Sequence, residues 1–126
     1  SQSDRIQTGG KQLPQATYKV TFRIPEEYSE ELMDAIDQVI EPLYPGYDRC
    51  FSIIRSTGTW RSLDGSNPYN GTVGEITVAE ELTIEFMCNE NEIKDVLRTI
   101  ERVHPYEEPG VDVIPCVGWR SYLQRS

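Results

Sequence analysis

The chain has one histidine, three cysteines and two methionines, and no apolar run approaching the length of a membrane span. Each scarcity excludes something. Without about 18 consecutive apolar residues there is no transmembrane helix. Cys50, Cys88 and Cys116 are an odd set with no C-x-x-C spacing, which speaks against a disulfide framework and for a reducing compartment. No charged-then-apolar leader is visible, so the expected location is cytoplasmic. Positive charge is also short: 12 Lys and Arg against 21 Asp and Glu give a net charge of −9. Nucleic-acid binders need clustered Lys and Arg to neutralise phosphates, so no nucleic-acid partner is expected. No G-x-x-x-x-G-K-[ST] loop is present to cradle a nucleotide. Asn70-Gly71-Thr72 has the form of a glycosylation acceptor and is read as a turn.

What remains is an ordinary globular composition, 37% hydrophobic and 26% charged, in 126 residues. That is one domain, able to bury roughly two thirds of its unfolded surface. Residues 1–15 are polar, with Gly9-Gly10 and Pro14, and read as a tail; residues 16–126 are the domain.

Tyr18, Val20, Phe22 and Ile24 alternate with polar residues, a half-buried strand ended by Pro25. Glu26, Glu27 and Glu30 suit a helix N-terminus. Leu32, Ile36, Val39, Ile40 and Leu43 recur at helical spacing, predicting a helix over 27–41. A strand is expected over 47–55, then a long loop to about residue 74. A strand over 75–88 alternates through Ile76, Val78, Leu82, Ile84, Phe86 and Cys88. Asn89 with Glu92 has the form of a capping box, and Ile93, Val96, Leu97, Ile100 and Val103 form one face of a second helix ended by Pro105. A last strand is expected over 106–116, followed by a short coda with Trp119, Tyr122 and Leu123. The order β-α-β-β-α-β predicts a ferredoxin-like α+β sandwich, with two helices on one face of a four-stranded antiparallel sheet.

Two segments carry residue types that folding alone does not require. One is the loop core Thr57–Tyr69, rich in Gly, Asn and Pro and containing Trp60, Arg61, Asn67 and Tyr69. Loops beyond about 12–15 residues are usually functional or disordered. This one reads either as a ligand clamp with stacking surface or as an oligomer-packing arm. The other is His104-Pro105-Tyr106-Glu107-Glu108-Pro109. Its prolines forbid a helix, so His104 and the glutamates do not share a helical H-x-x-E face. An imidazole with Glu107 or Glu108 would be a sparse divalent-metal site. The alternative is a histidine that complements a helix C-terminus. Cys50 beside Arg49 reads as a small buried residue before a nucleophile. Glu75, Glu81 and Glu85 share parity, with Glu80 opposite, and read as a solvated rim rather than an acid–base pair.

Several spaced motifs together resemble a known family: Tyr47-Asp48-Arg49-Cys50, Gly58-Thr59-Trp60-Arg61, Asn67-Pro68-Tyr69, Gly74-Glu75 and the segment from His104 to Pro109. In this order they resemble the YqfO-type PII/CutA-like domain, over about residues 18–117. That domain is found free-standing and as an insert in the dinuclear-metal proteins called GTP cyclohydrolase type 2 homologues. The His-Pro-Tyr-Glu segment and Tyr122-Leu123 are also similar to the CutA divalent-cation tolerance proteins. The resemblance implies a PII/CutA-like fold and self-association, as a homotrimer. It implies a regulatory or sensory module that takes a small ligand or divalent metal ion at inter-subunit clefts. Asp48, Arg49, Trp60, Arg61, Asn67 and Tyr69 are the expected ligand contacts, with Arg49 and Arg61 meeting an anionic group. His104, Glu107 and Glu108 are the expected metal or cleft-closing residues. The dinuclear centre of the larger proteins lies in flanking domains without counterpart in these residues, and the basic phosphate-binding residues of PII are not evident. The competing readings are a small metal-dependent hydrolase using His104 with Glu107 or Glu108, and a purely structural assembly domain. No catalytic residue is assigned.

Overall fold

The computed structural model describes residues 16–124, so the tail expected over 1–15 lies outside the described residues. Alternating residues build β1 (Thr17–Ile24), which Pro25 terminates. A 3-10 turn (Glu26–Tyr28) leads into α1 (Ser29–Asp37). β2 (Ser52–Arg61) and β3 (Ile76–Asn89) follow, then α2 (Ile93–Val103), β4 (Val111–Cys116) and a short α3 (Trp119–Leu123). The sheet order is β2-β3-β1-β4, with every neighbouring pair antiparallel. This is the ferredoxin-like order expected from the sequence. No helix among the described residues is long and apolar enough to cross a membrane.

Register decides the two faces of the sheet. Val20 pairs with Phe86, Phe22 with Ile84 and Ile24 with Leu82, so the even positions of β1 and β3 share one face. Leu32, Met33 and Ile36 of α1 and Val96 and Ile100 of α2 close over that face to form a single buried cluster. Each fully buried aliphatic or aromatic side chain there contributes about 1.5–3 kcal/mol. The opposite face is polar: Lys19 bridges Glu85 at 3.6 Å, Arg23 bridges Asp112 at 3.0 Å, and Ser56 meets Thr83 at 2.8 Å.

Several boundaries differ from the sequence reading. β2 starts five residues later than expected and runs through Trp60 and Arg61, which the sequence pattern places in the loop. The reason lies at both ends. Arg49 takes a left-handed φ of 57°, which breaks an extended run, and its N–H is held by Asp37 at 3.1 Å. At the far end, the length of β3 offers partners to Thr59 and Trp60, whose branched and aromatic side chains suit a strand. The last strand starts at Val111 rather than 106, because the segment between two prolines bends instead of extending. α1 is shorter than expected, and α2 is entered through a 3-10 turn (Glu90–Glu92). Glu92 there accepts from the Asn89 N–H at 2.9 Å and from the Glu41 N–H at 2.6 Å, tying the second helix start to the chain leaving α1.

Candidate functional site

Strand lengths create the cleft. β1 stops at the Ile24–Leu82 pair, while β2 and β3 continue together as far as Arg61–Ile76. Beyond β1 they form a two-stranded arm. α2 ends beside the root of this arm. Its C-cap, His104, is extended (φ −66°, ψ 134°), as expected of a residue before proline. The turn that follows delivers Tyr106 against Trp60 of the arm, with ring centroids 5.4 Å apart. Tyr69, from the loop at residues 62–75, packs on Tyr106 at 5.8 Å and on Tyr28 at 5.8 Å. The loop is fixed to the same turn by the Asn67 N–H, which donates to Glu107 Oε1 at 2.9 Å. Between arm, loop and turn lies a cleft of about 730 Å³, within the size range of small-molecule sites.

His104 supports this wall from behind. The ring is 6% exposed and packs edge-on to Phe22 at 6.5 Å. Nδ1 accepts from the Tyr106 N–H at 3.1 Å, which places the proton on Nε2, 2.5 Å from the Arg23 carbonyl oxygen to which it donates. Burial lowers the histidine's pKa, against the raising effects of the Arg23 carbonyl and Glu81. Both nitrogens are therefore engaged by the protein's own backbone. No group of three ligating side chains that could hold a metal ion occurs among the described residues. The donor set of His104, Glu107 and Glu108 does not fit a resident metal ion as it stands.

Glu81 is the residue that the sequence reading missed. It is 7% exposed rather than part of a solvated rim. Its Oε2 accepts a 2.6 Å hydrogen bond from the Tyr106 hydroxyl. Burial first, and then this bond, hold Tyr106 well above the usual phenol range, so it remains a donor. The Tyr69 hydroxyl is raised to about 12, chiefly by its hydrogen bond with Tyr28. Gly58 is the signal that was available. It lies two residues from Ser56, the cross-strand partner of Glu81, and a Cβ on it would come within 2.4 Å of Glu81 Oε1. Gly58→Ala is expected to displace the carboxylate and cost about 1–2 kcal/mol, measured by urea unfolding.

The structure separates the expected ligand contacts within one copy. Trp60, Arg61, Tyr69, Glu107 and Glu108 line the arm cleft, and Asn67 fastens its loop. Asp48 and Arg49 lie at the other end of β2, beside a smaller hollow of about 320 Å³. Arg49 is occupied there: its guanidinium bridges Asp34 at 2.5 Å. Arg61 forms no ion pair with a described residue. Cys50 is exposed rather than buried, and its thiol contacts the Asp48 carbonyl at 3.6 Å.

No family model matches the chain. Individual proteins do. The GTP cyclohydrolase 1 type 2 homolog of Halalkalibacterium halodurans is 29% identical over 101 residues, covering 80% of this chain and 27% of that protein. The protein of the same name from Staphylococcus epidermidis is 32% identical over 97 residues, covering 77% and 26%. The chain thus spans about a quarter of the length of these curated relatives. Among solved structures, a Bacillus cereus protein related to NIF3 superposes with a TM-score of 0.71 at 25% identity, over 83% of this chain and 27% of that one. The divalent cation tolerance protein CutA1 of Thermus thermophilus superposes with a TM-score of 0.61 at 20% identity, over 85% and 91%, and so shares the fold along nearly its whole length. The likeness expected from the motifs is the one found.

Proposed function

We propose that this chain, a PII/CutA-like relative of the GTP cyclohydrolase 1 type 2 homologues, works as a homo-oligomeric regulatory or sensory module that takes a small ligand at clefts completed by neighbouring copies. The observation that carries the reading is the arm. It projects past the end of β1, leaves both of its edges unpaired among the described residues, and walls an aromatic cleft at its root. Self-association has its own support. Both outer strands expose branched aliphatics, Ile53 and Ile54 on β2 and Val113 and Ile114 on β4, and Ile76 and Val78 do so along the arm. Unpaired edges of this length and apolarity are templates for pairing with another chain. The divalent-metal form of the reading rests on the names of the CutA neighbours, and the hydrolase alternative gains nothing from a histidine whose two nitrogens are engaged.

The expected solution mass, by light scattering, is three times the 14.4 kDa of one chain. Ile54→Lys, on the exposed face of β2, is expected to shift that mass towards a single chain without loss of helical content. A wild-type protein with the mass of one chain would remove the shared cleft, and with it this function.

A further inference from the structure

We propose that the arm cleft recognises a small organic cation, an ammonium or guanidinium, with Glu81 as its counter-charge and Trp60 and Tyr69 as its aromatic walls. The proposal rests on the reading of this cleft as a ligand site and gives that ligand a chemical class.

The argument starts from Glu81. A carboxylate withdrawn from water is costly unless it is paired. Glu81 is buried, yet no Lys or Arg among the described residues bridges it. Arg23 lines the same cleft, but its guanidinium is held by Asp112 at 3.0 Å. The one hydrogen bond that the Glu81 carboxylate accepts among the described residues comes from a neutral phenol and reaches Oε2. Oε1 has no hydrogen-bond partner among the described residues, and it lies against Gly58, whose missing side chain makes room for the carboxylate at the cleft wall. The carboxylate is therefore held in position by Tyr106 with one oxygen unclaimed.

The surroundings select for positive charge. Trp60, Tyr106 and Tyr69 stand in series at 5.4 and 5.8 Å, and all three line the cleft. Aromatic faces attract a desolvated cation. Glu107 and Glu108 add acid at the rim, so three carboxylates meet two guanidiniums, one already neutralised. A phosphate or carboxylate ligand would enter against this field. An organic cation gains from the buried charge, the rings and the negative rim together.

The test uses the full chain in a Trp119→Phe background, which leaves Trp60 as its only tryptophan. Its fluorescence is titrated with agmatine, with putrescine and with AMP. A saturable change with agmatine or putrescine, weakened by salt, is the expected result. Glu81→Gln keeps an acceptor for Tyr106 but removes the charge. It is expected to weaken cation binding by about tenfold or more while the melting temperature without ligand stays within a few degrees. Saturation by AMP but by neither cation would overturn the cation class and leave the cleft a ligand site. Equal cation affinity in Glu81→Gln would overturn the role of Glu81, and silence with all three probes would overturn the proposal entirely.

Discussion

Replacing Phe22 by alanine is expected to lower unfolding stability by about 3–5 kcal/mol, a large share of the ~5–15 kcal/mol typical of a domain. Phe22 is fully buried at the centre of the sheet face covered by the helices. Phe86 meets it edge-on at 6.5 Å from one side and His104 at 6.5 Å from another. Truncation removes the transfer free energy of the ring and leaves a cavity that close-packed neighbours fill only in part. The effect should also reach the cleft, since His104 is packed by Phe22 and in turn holds the backbone of Tyr106. Urea unfolding gives the stability, and Phe22→Leu, which keeps much of the volume, should recover most of it. A loss below about 1 kcal/mol would show that the core is not centred on this ring.

The second large effect is expected at His104. His104→Ala removes the donor to the Arg23 carbonyl and the acceptor of the Tyr106 N–H, at an expected cost of about 2–3 kcal/mol. The same residue gives stability a pH dependence. Burial places its folded pKa below the unfolded value of 6.5. The unfolded chain therefore binds the proton more readily. The contribution of the neutral ring is complete above about pH 6.5 and is lost as the pH falls towards the folded value. Wild-type protein should lose stability between about pH 7.5 and pH 5.5 by more than His104→Gln, which keeps an amide donor and does not titrate. Equal losses in the two proteins would mean that the ring is not held neutral.

These expectations differ in how far they could be read from the sequence. The alternation of Val20, Phe22 and Ile24, and the helical spacing of Val96 and Ile100, identify the core residues directly, because side-chain direction follows local backbone period. The helix end at His104 follows from Pro105 in the same local way. The strand ends were less legible. Trp60 and Arg61 have a loop-like sequence context because the glycine and asparagine nearby weaken the local signal, whereas pairing with β3 overrides it. Glu81 was the hardest residue to place. Its parity put it on the face without helices, which is normally wet. Only the return of the 105–110 turn, bringing Tyr106 over that face, makes it buried.

The grouping of expected contacts was decided in the same manner. Trp60, Tyr69 and the His104–Glu108 segment come together across some 40 residues of sequence, while Asp48 and Arg49, closer to Trp60 along the chain, are carried to the opposite end of β2. The amino-acid order by itself determined the order of strands and helices, the face that the helices cover and the fold, since each follows from periods of two and 3.6 residues and from where prolines interrupt them. Tertiary structure alone decided the cleft and the charge inside it. Those depend on strand register and on the unequal lengths of β1 and its neighbours, which arise from pairing between distant segments rather than from any local preference.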